Sequence, residues 1–196
     1  MHGLINKSIQ CFLRDSYGTA LWEAVARETG LDTVGFEAML HYDDAVTERM
    51  IGAAAALKNR PRAALLEDLG AYLASVEGLR RLLRFGGGDY WDFLRSLDEL
   101  PGRSLMALVD LELPELDLRE DGGGHFSLVV SGKVPGWGAV MAGLLRAMAD
   151  DYGALAVIEW EDSGREERID VTLLEARYTD GRSFELARPQ REEAPA

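Results

Sequence analysis

The chain has 196 residues and carries 34 acidic against 21 basic side chains, a formal charge of −13 at neutral pH. That balance argues against a nucleic-acid or anionic-membrane surface, because both are bound through Lys and Arg that displace counterions. A hydrophobic fraction of 47% supports a packed core in one domain, and no apolar run reaches the roughly 18 residues of a membrane span.

Ile5, Ile9, Phe12 and Leu13 share one helical stripe, and Leu21, Trp22, Val25 and Ala26 form a second after Gly18. Gly30 suits a left-handed cap on that second helix. Asp43 or Asp44 caps a third, through Val46, Met50, Ile51, Ala54 and Leu57. Pro61 opens a fourth through Leu65, Leu69, Leu73 and Val76, and a short one over Leu79–Phe85 runs into Gly86-Gly87-Gly88, the expected hinge and lobe boundary. Trp91–Leu97 is one more helix, and Pro101 opens the next through Leu105, Met106 and Val109. Beyond Pro114 the period changes: Phe126, Leu128 and Val130 alternate as a half-buried strand does. Trp137–Met148 is helical, Leu155–Trp160 and Ile169–Leu174 are strands around a turn at Asp162-Ser163-Gly164, and Asp180-Gly181 suggests a hairpin into Ser183–Leu186. The fold class is α+β: an N-terminal helical lobe, then a lobe with an antiparallel sheet and packed helices. The expected bounds are one domain over 1–187, with lobes 1–85 and 89–187, and a polar tail over 188–196.

Chemistry-bearing constellations are scarce. His2, His41 and His125 have no partners at ligand spacing, and there is no Gly-x-Ser-x-Gly or phosphate-binding Gly-rich Lys-Ser/Thr loop. His41 beside Tyr42 and Asp43 reads as a surface group, His125 as solvent-facing and His2 as part of a frayed end. The single cysteine, Cys11, lies off the first helical stripe and excludes a disulfide or cysteine-built cluster. With no basic segment and apolar core at its start, the chain reads as cytoplasmic. No catalytic site emerges, so the expectation is a protein that is not an enzyme.

The order of residues does carry a resemblance. Met1–Lys7, Tyr17-Gly18, Leu21-Trp22-Glu23-Ala24, Phe36, Met39, Tyr42 and Asp43-Asp44 are similar to the opening of the heme–nitric oxide/oxygen binding (H-NOX) family. The likeness continues through Gly52-Ala53-Ala54, Gly88-Asp89, Phe93-Leu94, Leu97-Asp98-Glu99-Leu100, Ser127-Leu128, Ser131 and Gly143-Leu144-Leu145, to about Phe184. It implies a helical lobe and an α/β lobe with heme between them, a proximal histidine on the iron and a Tyr-x-Ser-x-Arg grip on the propionates.

Two departures bear on that implication. The family's histidine follows the Leu-Asp-x-Leu segment, where this chain has Pro101. Proline has no side-chain donor for iron, although it is well suited to the first turn of a helix. The propionate motif reads Val129, Ser131 and Lys133, so a point charge replaces the arginine fork and the tyrosine hydroxyl is gone. Ile5 and Pro114 match positions that press on the porphyrin in the family. The resemblance therefore implies a residual pocket of Ile5, Pro101, Pro114, Ser131 and Lys133, and no metal-ligating side chain.

The leading expectation is a non-catalytic signalling module without histidine-ligated heme, with an empty pocket or a hydrophobic or tetrapyrrole ligand. It would act on a separate partner such as a histidine kinase or a cyclic-dinucleotide enzyme. The alternative is a heme b sensor of nitric oxide or oxygen with an atypical axial ligand. A third, an enzyme resembling vinyl-reductase-like tetrapyrrole proteins, has no catalytic spacing behind it.

Overall fold

The computed structural model describes residues 1–102, 111, 113–164 and 166–184. The first half is helical. α1 (Gly3–Tyr17) and α2 (Thr19–Thr29) bury Ile9, Phe12, Leu13, Trp22 and Val25 against one another. Gly30 ends α2 at φ 69°, the left-handed cap its position predicts. Asp43, rather than Asp44, caps α3 (Asp44–Lys58) by accepting from Ala45 N at 2.9 Å. Pro61 precedes α4 (Arg62–Ser75), and Val76 turns the chain out of the helix instead of continuing it. α5 (Glu77–Arg84) and α6 (Tyr90–Arg95) follow, then a 3-10 turn at Leu97–Glu99.

Leu100, Pro101 and Gly102 are helical, so Pro101 sits in a first turn as expected. Leu105, Met106 and Val109 lie outside the described residues. β1 (Glu115–Gly122), β2 (His125–Ser131), β3 (Leu155–Asp162) and β4 (Glu167–Glu175) form an antiparallel sheet in the order β1-β2-β4-β3. In that register Phe126 faces Val171 and Leu128 faces Ile169, placing four buried side chains on the inner face. α7 (Trp137–Tyr152) packs on that face, one turn longer than its apolar pattern suggests.

Two cores result. One gathers α1, α2, α3 and the first half of α4; the other lies between the sheet, α5, α6 and most of α7. Leu65, Leu66 and Leu69 belong to the first core and Ala74 to the second, so the cores part inside α4. The Gly86–Gly88 triplet expected to divide the lobes lies within the second. A Cβ at Gly87 would fall 2.5 Å from Asp92 Cβ, so the triplet is a packed connector. Asp180-Gly181 is irregular, and among the described residues after it, up to Phe184, none lies in a strand. Arg182 N donates to Asp151 O at 2.9 Å, which ties Ser183 and Phe184 to α7 instead of to the sheet edge. Leu186 and the expected tail over 188–196 lie outside the described residues.

The partition between the cores is a backbone-to-backbone crossing of α4 and α7. A Cβ at Gly70 would lie 1.9 Å from Val140 O, and one at Gly143 would lie 1.9 Å from Glu67 O. Neither obstacle is a side chain that can swing away. Gly143→Ala is therefore expected to lower stability by about 1–3 kcal/mol in denaturant unfolding. Gly52→Ala, in the open on α3, is expected to raise it by roughly 0.5–1 kcal/mol through helix propensity alone.

Candidate functional site

Where the two cores face each other, the helices leave an apolar cavity of about 240 Å³. Leu4, Ile5 and Ile9 of α1 close one side, and Leu66, Leu69 and Leu73 of α4 another. Leu79, Leu82 and Leu83 of α5 and Val140, Met141 and Leu144 of α7 also line it. α5 can serve two environments because its leucines and arginines fall on opposite faces at helical spacing. Leu79 and Leu83 look into the cavity, while Arg80 turns to a buried carboxylate on α7.

The cavity continues into a wider, more polar void of about 750 Å³; Met1, Leu111, Leu113, Pro114, Val134 and Trp137 line both. The polar rim comes from His2, His41, Asp44, Glu115, Ser131 and Lys133. All five residues expected to line a pocket are brought together here. Ile5 faces the apolar part, Pro114 lies at the junction, and Pro101, Ser131 and Lys133 border the wide part. Val129, the motif's tyrosine position, lines neither.

His2 is not frayed. It is 5% exposed, its Nδ1 accepts from Leu4 N at 3.2 Å to cap α1, and its ring meets the His41 ring edge-on at 5.2 Å. The Met1 amino group donates to Tyr42 O at 2.8 Å and pairs with Asp44 at 2.5 Å, fixing the strand that carries His2. His41 is exposed, and His125 lies on the exposed side of β2, with Nδ1 3.1 Å from Thr172 Oγ1.

Sequence reasoning missed the segment that joins the two voids, Val134 to Trp137. Gly136 adopts φ 105°, which only glycine takes without strain, and it lets the chain turn sharply into α7. The buried Glu167 carboxylate accepts from Gly136 N at 2.8 Å and Gly138 N at 2.9 Å, an anion at a helix N-terminus. Arg62 clamps the same segment from α4. It grips Glu48 at 2.7 and 2.9 Å and donates to Pro135 O at 3.3 Å. The Gly-Trp-Gly spelling was the available signal, since one large side chain between two small residues often marks a close approach.

The chemistry of these walls is limited. The two hydroxyls in the apolar part point back into the protein: Ser8 donates to Leu4 O at 2.9 Å, and Thr47 to Asn6 Oδ1 at 2.6 Å. Among the described residues no group of three or more His, Cys, Asp or Glu could hold a metal ion. For an iron porphyrin the space is adequate, since small-molecule pockets run to roughly 300–1,000 Å³. Pro101, which borders the wide void, offers no side-chain donor atom to iron. No described helix is long and apolar enough to cross a membrane.

Comparison with known proteins places this geometry. The fold matches the Fe(II) unliganded H-NOX protein of K. algicida with a TM-score of 0.79, at 16% identity over 92% of this chain and all of that one. It matches the Fe(II)NO form of an S. oneidensis H-NOX protein at 0.75, with 13% identity over 88% and 99% of the two chains. A point mutant of T. tengcongensis H-NOX matches at 0.75, with 14% identity over 90% and 99%. The family model for haem-NO-binding proteins matches residues 2–159, and the chain belongs to that family.

Proposed function

We propose that this chain is a non-catalytic regulatory module of the H-NOX type whose pocket between the cores does not hold heme through an axial histidine. The observation that supports this reading is Pro101, which borders the wide void at the position the resemblance assigns to the ligand. The module transmits the state of its pocket to a separate signalling protein, a histidine kinase or cyclic-dinucleotide enzyme being the kind of partner the family resemblance implies. Ser131 and Lys133 at the rim leave a polar mouth without the bidentate fork that propionates favour.

His2 and His41 favour the alternative of a heme b sensor with an atypical ligand, since both border the wide void. Against it, the Nδ1 of His2 is already occupied by the α1 cap, and His41 is on the exposed rim. Titration of the full chain with hemin under reducing conditions separates the two. The expected result is a broad, weak Soret band that is the same in His41→Ala and His2→Ala. A sharp Soret band that responds to nitric oxide, and disappears in His41→Ala or His2→Ala, overturns the reading.

A further inference from the structure

We infer that the apolar cavity binds the unbranched alkyl chain of a single-tailed amphiphile of medium length, with its polar head at the Ser131/Lys133 mouth. The inference rests on the proposed function, because a pocket without ligated heme is open to another occupant. Three features on the walls carry it.

The first is shape. The cavity follows α4 from Leu66 to Leu73, seven residues or about 10 Å at ~1.5 Å per residue. At ~1.2 Å per bond of a fully extended chain, that length takes roughly eight methylenes.

The second is the chemistry of the inner walls. Leu, Ile, Val and Met line them, and the hydroxyls of Ser8 and Thr47 are committed to Leu4 O and Asn6 Oδ1. Nothing described there would orient a polar group, so the inner part of the ligand is hydrocarbon. The third is the asymmetry of the two parts. Leu79, Leu82 and Leu83 of α5 line the apolar cavity alone, whereas Pro114 and Trp137 line both spaces and lead onto Ser131, Lys133 and His41. An apolar part that runs into a polar one matches a molecule with one tail and one head.

Calorimetric titration of the full chain with straight-chain carboxylates tests this, with decanoate as the reference probe. Saturable one-to-one binding is expected. Affinity should rise about fourfold per methylene as the chain lengthens from hexanoate, then level off near decanoate, where the cavity is filled. Val140→Phe and Leu73→Phe narrow the cavity from α7 and α4 and should move the plateau to shorter chains, with thermal melts reporting that each variant is folded. Non-saturable uptake, or a wild-type series without a plateau, overturns the inference. So does an unchanged plateau in whichever of the two variants melts as a folded protein. Hemin titrated into the same samples keeps the two readings apart. A protein that takes up neither decanoate nor hemin refutes the alkyl-chain ligand alone, and a sharp Soret band lost in His41→Ala or His2→Ala refutes the proposed function.

Discussion

Pro101→His is expected to bind hemin more than about 100-fold more tightly than the unaltered chain, with a sharp Soret band in place of a broad one. Removing a group that merely orients a metal ligand already costs roughly 10–100-fold in metal affinity, so supplying the ligand itself should gain at least as much. The backbone tolerates the change. Pro101 occupies the first turn of a helix, where an N–H needs no partner inside the helix, and its side chain already borders the wide void. Lys133→Arg in the same background should add about another tenfold, because a fork of two parallel hydrogen bonds replaces a point charge at the mouth. Absorption titration reads both steps. If the double variant gains nothing, the void does not admit the ring, and the absence of a donor at position 101 is not what excludes heme.

How far the sequence alone reaches differs between fold and site. The N-terminal helices were legible because their signals are local: one apolar stripe per helix, Asp43 as a cap and Gly30 as a left-handed end. β2 was legible because its alternation matches one buried face. Features set by partners far along the chain were not. Gly70 and Gly143 look like ordinary helical glycines until the two backbones meet. Glu167 reads as one acid among many, and only the folded chain brings it to the start of α7. A hairpin turn was expected at Asp180-Gly181, but the path of the chain there depends on Asp151, almost 30 residues earlier. The candidate pocket residues came from ordered resemblance and not from chemistry, since Ile5 and Pro114 carry no reactive group. Trp137 was taken as the start of a helix and escaped notice as a pocket residue because its role depends on Gly132 and Pro114 packing beside it.

The largest loss of stability is expected from Arg80→Ala. Arg80 Nε donates to Asp151 Oδ1 at 2.7 Å, and the two side chains are only 7% and 4% exposed. Removing one member of such a pair strands the other charge in the core, at a cost of about 3–5 kcal/mol. Arg182 sits 3.8 Å from the same carboxylate but its side chain is 65% exposed, so Arg182→Ala should cost less than about 1 kcal/mol. Arg84 stands between these limits. It is 3.6 Å from Asp151 Oδ2, and its guanidinium lies 3.9 Å from the centre of the Tyr152 ring. Burial pushes the Tyr152 phenol up to about 12, Arg84 pulling the other way, so at neutral pH it remains a donor to Gly87 O. Replacing the pair together, as Arg80→Met with Asp151→Leu, should recover only part of the loss, because Arg84, 14% exposed and 3.6 Å from the same carboxylate, then loses its partner. The same side chains dock the segment at Ser183 and Phe184: Arg80 Nη2 donates to Ser183 O at 3.1 Å, and Arg84 lies 5.1 Å from the Phe184 ring. Arg80→Ala should therefore also speed proteolytic cleavage around Arg182 at temperatures well below unfolding, whereas Gly143→Ala, which strains the α4–α7 crossing, should not. Equal cleavage in the two variants would place the docking of this segment on packing and not on the buried ion pair.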